Sequence, residues 1–322
     1  MRRTGSLLAG VVAAVALAAH PTRLAAQNDR VIARADSLLA AGQVPRAESL
    51  YYAAARRNSL DSHGRAALGR YLASRGAFLI GATLLEESVT FGADTASVAR
   101  VRAAALQAAG EWMQVSQLPR STLTPAERQR AAWLATHAPA VSGADSVTVG
   151  FEPSSAMGLG RVQLVVGNDT LAADVDPAVD ELVLGDYRDF APLVQVFSGA
   201  AGDRVAVLQR AAIGDLVLER IPARIDPQLG PARARIGLAL LARLAPTVDA
   251  AAGVLTLRRN GAVGAELGRR RIPLVFAFPG VRIARPDRLV PIDSPAGRAV
   301  LAQARWTLDL QRGELVLETD AR

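Results

Sequence analysis

Cysteine and lysine are both missing from the 322 residues. Without cysteine there are no disulfides, no thiolate nucleophile, no iron–sulfur cluster and no zinc–thiolate site. Without lysine there is no Schiff-base amine and no phosphate-loop or kinase lysine, and all 37 basic residues are arginine. Histidine is scarce too. Of the three, His20 falls in the N-terminal leader described below, which leaves His63 and His137 for any imidazole relay or histidine metal site. Aromatic residues make up 4% of the chain, and no basic stripe is interleaved with them. The formal charge of +7 therefore does not describe a nucleic-acid surface, because the arginines are scattered among 30 acids. No cofactor or metal is expected: "NGAVGAELG", residues 260–268, has glycines without dinucleotide spacing behind a suitable strand.

Apolar residues are plentiful. Half of the chain is hydrophobic, enough for two modest domains with their own cores. Arg2 and Arg3 precede the apolar run "SLLAGVVAAVALAA", and "LAA" before Gln27 supplies small residues for cleavage, so residues 1–26 read as an export signal. The run is too short for a comfortable membrane span, and an uncleaved anchor is the alternative. The leader holds three arginines and no acid, so its removal lowers the charge from +7 to +4. A periplasmic or secreted location is expected.

Between 27 and 118 the chain repeats. Gly42, Gly76 and Gly110 stand 34 residues apart, in "AAGQVPRAESLYYAAARR", "ASRGAFLIGATLLEESV" and "QAAGEWMQVSQL". Two residues after each comes a large side chain, Val44, Phe78 or Trp112, and five after each a smaller one, Ala47, Gly81 or Val115. Leu68, Gly69 and Leu72 precede Gly76 at the offsets of a first helix. These residues resemble tetratricopeptide repeats, the third degenerate and serving as a cap; an alanine-rich bundle with helix-ending glycines is the alternative. The resemblance implies a concave groove lined by first helices that binds a peptide or protein. Transferred to this sequence, Asp36, His63, Arg70, Arg100 and Gln107 fall on that groove, and each also reads as an ordinary solvated helix residue.

Residues 119–146 read as a linker. Thr124, Pro125 and Glu127 predict a short capped helix, with Trp133 packing back on the array. "APAVSGADS", residues 138–146, has no periodicity and marks a boundary at which cleavage should leave two stable fragments. From 147 the pattern alternates in short runs: "SVTVG", "RVQLVVG", "TLAADV", "ELVLG", "LVQVF", "RVAVL", "GDLVL" and "GVLTL". "RIGLALLARLAPTVD" interrupts them with the apolar density of a short helix.

In order, "ADVDPAVDELVL", "IGLALLARL" and "PTVDAAAGVLTLR" resemble the retropepsin-like aspartic peptidases of bacterial exported type over residues 150–260. In that family the first segment carries Asp-Thr-Gly, the second a Gly loop and helix, and the third a closing hairpin. The resemblance implies a carboxylate at Asp176. Such peptidases hold two carboxylates that share a proton, one acting as base on water while the other polarises the peptide carbonyl. Here Pro177 and Ala178 replace Thr and Gly. Proline has neither the hydroxyl nor the amide hydrogen that would tie the loops together. "FSGAAGDRVAV" is either a flap tip or a hairpin loop.

A second acid has one candidate in the chain, Asp293 in "PIDSPAGRAVL", laid on Asp-Thr-Gly with Ser294 for threonine. A competing register matches more positions. Thr247, Asp249, Gly253, Leu255 and Leu257 recur as Thr307, Asp309, Gly313, Leu315 and Leu317, each 60 residues later, and Gly237 and Leu241 recur as Gly297 and Leu301. On that register residues 261–322 form a partial second β lobe and Asp293 falls opposite Arg233; a generic hairpin could produce the same pattern.

The expected architecture is multidomain, α then β: a tetratricopeptide solenoid over 27–118, a linker over 119–146, a retropepsin-like β domain over 147–260 and a truncated second lobe over 261–322. The expected function is binding of a peptide or protein partner by an exported protein whose peptidase-like domain is inactive. The alternatives are an active aspartic endopeptidase using Asp176 in a homodimer, and a structural envelope scaffold.

Overall fold

The computed structural model of the chain describes residues 26–58, 60–152, 159–186, 188–198, 204–259, 269–278, 280–302 and 305–318. The export-signal reading, the tip of the expected flap at 199–203 and all of "NGAVGAELG" lie outside the described residues. Helices occupy residues 26–136, and a β-rich region follows. Among the described residues no helix is long and apolar enough to cross a membrane.

Seven helices come first: α1 over 26–40, α2 Val44–Arg57, α3 Ser62–Ser74, α4 Phe78–Thr90, α5 Thr95–Ala109, α6 Trp112–Ser116 and α7 Pro125–Thr136. Their ends follow from the residues placed there. Asp61 and Asp94 accept hydrogen bonds from the first free amides of α3 and α5, and Thr124 with Glu127 closes a capping box on α7.

The three glycines of the 34-residue period terminate α1, α3 and α5 in the same way. Each lies in the left-handed region, at φ +72°, +86° and +77°. The amides of Gly42, Gly76 and Gly110 donate to Leu39, Ala73 and Gln107, and the next amide in each case donates to Leu38, Leu72 or Leu106. This doubled bond satisfies the carbonyls that a helix leaves open at its C-terminus and needs a residue free to adopt positive φ. The following large residues, Val44, Phe78 and Trp112, are all buried. A Cβ added at Gly81 would lie 2.6 Å from the Ala73 amide nitrogen, so α3 and α4 pack backbone to backbone.

The β-rich region has two sheets. The first contains β1 Ala140–Gly143, β3 Gly160–Val166, β4 Asp169–Val175, β5 Leu182–Leu184, β6 Val194–Ser198, β7 Arg204–Ile213, β8 Leu216–Ile225 and β9 Arg233–Ile236. Its order is β1-β8-β5-β9-β4-β3-β7-β6, and an additional β7–β8 pairing closes the six strands from β8 to β7 into a barrel. The second contains β2 Ser146–Gly150, β10 Thr247–Asp249, β11 Val254–Arg258, β12 Arg269–Phe276, β13 Val281–Ala284, β14 Leu289–Pro291, β15 Arg305–Asp309 and β16 Glu314–Glu318. The chain enters and leaves the barrel through this second sheet, whose order is β14-β13-β12-β16-β15-β10-β11-β2. The helical interruption is α8, Leu238–Leu244, and α9 spans Pro295–Leu301.

Residues 60 apart meet across the second sheet. Thr247 of β10 stands directly opposite Thr307 of β15, and their hydroxyls hydrogen-bond at 2.7 Å. Asp249 and Asp309 each accept from the amide three residues on, and Gly253 and Gly313 both turn at φ +63°.

Two expectations are corrected. Residues 138–146 are not free linker: β1 pairs with β8, β2 with β11, and Arg220, Arg243 and Arg259 bond to Ala138, Pro139 and Asp145. Nor do the halves have separate cores. One buried cluster runs from Phe78, Leu106, Trp112 and Leu134 through Leu238 and Leu240 to Phe276, so cleavage there would not release two independently stable fragments. The reason is visible at the turns. A Cβ at Gly42 would meet the Arg285 carbonyl oxygen at 1.9 Å, one at Gly76 the Leu310 oxygen at 2.6 Å, and one at Gly110 the Arg243 guanidinium at 2.6 Å.

Gly76→Ala should therefore cost about 2–4 kcal/mol, combining an unfavourable backbone angle with overpacking against Leu310. Gly92→Ala, also at positive φ but with nothing within 4 Å of the added carbon, should cost only about 1–2 kcal/mol. Chemical denaturation of the two variants checks this, and equal losses would mean that the Gly76 turn does not dock.

Candidate functional site

Strand β4 delivers Asp174 and Asp176 two residues apart, and β9, running parallel beside it, delivers Arg233 and Arg235 at the same spacing. The period of a strand puts all four on one face. Asp174 is fully buried between Arg161 at 3.2 Å and Arg233 at 2.7 Å. Asp176 is 1% exposed. Its Oδ2 takes two hydrogen bonds from Arg235, the Nε bond being 2.7 Å, and its Oδ1 accepts from the Ala178 amide at 2.9 Å. Both guanidinium donors converge on one carboxylate oxygen, a charge-assisted contact stronger than a neutral hydrogen bond.

The loop is held by a close approach. Gly237 lies so near the chain from Val179 to Glu181 that a Cβ would meet the Glu181 oxygen at 2.3 Å, and the Leu238 and Ala239 amides donate to Val179 and Asp180. Gly297 has the matching role in the second half, against Pro291 and Ile292. The loop that follows β12 supplies Ala277 and Phe278, and Gly280 approaches Ala178. No acid stands there. Asp293 lies before α9, where its backbone carbonyl accepts from Arg298, and it makes no bond to Asp176. Among the described residues, the partners of the Asp176 carboxylate are Arg235 and Ala178 alone.

The five residues assigned to a helical groove divide. Arg70, Arg100 and Gln107 line one cavity of about 500 Å³ between the helices and the β region. Asp36 accepts from Tyr51 within the first hairpins, and His63 pairs with Asp29 at 3.3 Å on an exposed face, so neither belongs to it. The opposite wall of the cavity comes from Asp180, Arg224, Phe276 and Phe278. A smaller apolar recess shares that wall and adds Phe78, Trp112 and Leu238. The rings of Phe78, Phe276 and Phe278 form one cluster, with Phe78 edge-on to Phe276 at 5.1 Å.

The charges around the cavity are mostly committed. Arg130, 1% exposed, bonds to Glu181 at 2.6 Å and to the Ala223 carbonyl, joining α7 to the barrel. Arg224 reaches both Glu181 and Glu127. Burial would raise the Glu127 carboxyl, but the Thr124 amide and Arg224 outweigh it and hold it low. Asp180 differs. It is an exposed residue at the cavity wall, and partial desolvation there pushes its carboxyl up to about 6, with Glu181 adding repulsion and Arg224 opposing. No group of three or more metal-ligating side chains occurs among the described residues.

Arg235 and Asp180 were not singled out by the sequence, although one signal existed for the first: "ARAR" in β9 alternates with the same period as "DVD" in β4. The aromatic wall had none, since Phe276 meets Phe78 only through the tertiary fold.

No family model matches the chain, and no curated protein matches it. Among solved structures, a retropepsin-like aspartic protease from Rickettsia conorii is a weak neighbour, with a TM-score of 0.27 and 15% identity over 37% of this chain and 93% of that one.

An unfolded aspartate titrates near 3.9. Asp180 titrates higher in the folded protein, so the folded state binds the extra proton and stability falls as pH rises through the window from about 4 to 6. Asp180→Asn removes that loss. The variant should match the parent in melting temperature near pH 3.5 and exceed it at pH 7.5; equal melting temperatures at both pH values would contradict the raised carboxyl.

Proposed function

We propose that this is an exported, non-catalytic protein that holds a peptide or protein partner, built from a tetratricopeptide array and a retropepsin-like β region whose peptidase centre is disabled. The observation that carries the reading is that two donors of Arg235 hold Asp176 Oδ2 while the Ala178 amide holds Oδ1. A general base must release its carboxylate to a water, and a shared-proton dyad needs a second acid at hydrogen-bond distance. Here the guanidinium occupies one oxygen, the Ala178 amide the other, and the facing loop offers alanine and phenylalanine. The tetratricopeptide part of the reading is supported by three identical helix-ending turns on a 34-residue period. The retropepsin-like part is supported by the parallel β4–β9 pair, the Asp176 loop pressed on Gly237 and the hydroxyl pair at Thr247 and Thr307. Export rests on the leader pattern at residues 1–26.

The rival, a homodimeric endopeptidase, would require Asp176 to leave Arg235 and the loop at Ala178 to exchange the covering it has from its own chain. Purified protein should show no pepstatin-sensitive cleavage of a mixed peptide substrate between pH 3 and 7. Asp176→Asn should change neither that result nor partner binding, while Asp176→Ala should destabilise the fold by about 3 kcal/mol by stranding Arg235 without its counter-ion. Cleavage that falls a hundredfold or more in Asp176→Asn would establish the peptidase instead.

A further inference from the structure

The cavity between the helices and the β region has two unlike parts side by side. One is the apolar recess under Phe78, Trp112, Phe276 and Phe278. The other is the wider mouth of about 500 Å³, where Arg70 on α3 and Arg100 on α5 present exposed guanidinium groups that make no hydrogen bond or ion pair among the described residues. Glu127 and Glu181 cannot serve as their partners, since both are engaged by Arg224 and Glu181 also by Arg130. Asp180 is the remaining carboxyl on the wall. Two cations thus face one acid, and the mouth carries unbalanced positive charge next to an apolar hole.

Phe278 adds an independent sign. Its backbone is held at φ +35°, a conformation unfavourable for a bulky L-residue, with its ring against Phe78 and Phe276 in the cavity wall. Strain of this sort persists where the surroundings over-determine it, and such residues cluster at ligand clamps.

We infer that the cavity is a recognition site for an extended peptide segment in which a large apolar side chain is flanked by carboxylates, the apolar group filling the recess and the acids pairing with Arg70 and Arg100. This rests on the peptide-holding reading above and gives it a ligand class. The apolar anchor supplies affinity by burial, and the arginines supply selection through charge complementarity. The carboxylates are side-chain groups, so a free C-terminus is not required. Both arginines are exposed, so their replacement leaves the fold intact.

The test uses fluorescent, terminally blocked hexapeptides containing Glu-Phe-Glu, Gln-Phe-Gln, Lys-Phe-Lys or Glu-Ala-Glu, with binding to the full chain followed by anisotropy. Glu-Phe-Glu should bind at least tenfold tighter than either Gln-Phe-Gln or Glu-Ala-Glu, and Lys-Phe-Lys weakest. Arg70→Ala and Arg100→Ala should each cost about fivefold, as accessible ion pairs do, and the double variant should bind Glu-Phe-Glu no better than Gln-Phe-Gln. The groups facing the ligand are Arg70 and Ser74 of α3, Arg100 and Gln107 of α5, Thr122 and Glu127 beside and on α7, Asp180 of the loop and Arg224 of β8. Among them Asp180 changes charge near pH 6, while peptide glutamates stay ionised down to about 4.3. Binding of Glu-Phe-Glu should therefore tighten from pH 7.5 to 5.5, and Asp180→Asn should bind tightly at both. Equal affinity for the acidic, neutral and basic peptides would overturn the acid preference and leave the peptide-holding reading standing. Binding unaffected by the double arginine variant would overturn this location. Binding of none of the peptides would overturn both.

Discussion

The position of everything else depends on how closely three helix-ending turns approach the β region. Gly42 and Gly76 press against the backbone of Arg285 and Leu310, leaving no room for a side chain, and Gly110 lies against the Arg243 guanidinium. Arg75 locks the middle turn further, donating to the Leu274 and Gly313 carbonyls. The glycines thus do two jobs: positive φ ends each helix, and the missing Cβ lets the array dock. Because the turns dock, the faces of α3 and α5 look across a fixed gap at β8 and the loop after β12, and that gap is the cavity.

The strand, the bend and the Gly237 approach hold the Asp176 carboxylate near the loop that follows β12. Its chemistry is set by the neighbour on β9. Arg235 neutralises the charge and occupies the oxygen that would hold a water, at a buried position where one uncompensated carboxylate would be costly. Asp174 and Arg233 repeat the arrangement one step back along the same strands, which makes the pair a ladder contributing to the barrel rather than an isolated contact.

Much of the fold was legible because it is written in short periods. The 34-residue spacing located the turns, Thr124-Pro125 with Glu127 located α7, and alternation located the strands. The 60-residue recurrence did not say that its members meet, yet Thr247 faces Thr307 across β10 and β15. The site was less legible. The sequence marked Asp176, Pro177 and Ala178, but Arg235 became the partner of Asp176 through a parallel pairing between strands about 60 residues apart. Asp36 and His63 lie away from the cavity that Arg70, Arg100 and Gln107 line, because helix phase alone cannot say which helices the β region covers. Residues 138–146 lacked periodicity because each of their two strands is short and sits at the edge of a different sheet.

The hydroxyl pair of Thr247 and Thr307 has a consequence for direction. These residues stand directly opposite each other where β10 meets β15 in the middle of the second sheet. Two identical subunits meeting in this way would present the same wall twice. A single chain is free of that requirement. One side of the junction carries Asp176, Asp180 and Arg235, the other Ala277, Phe276 and Phe278, and the helices cover it asymmetrically. The surface beside the junction is therefore charged on one side and aromatic on the other, a polarity that two identical walls would lack.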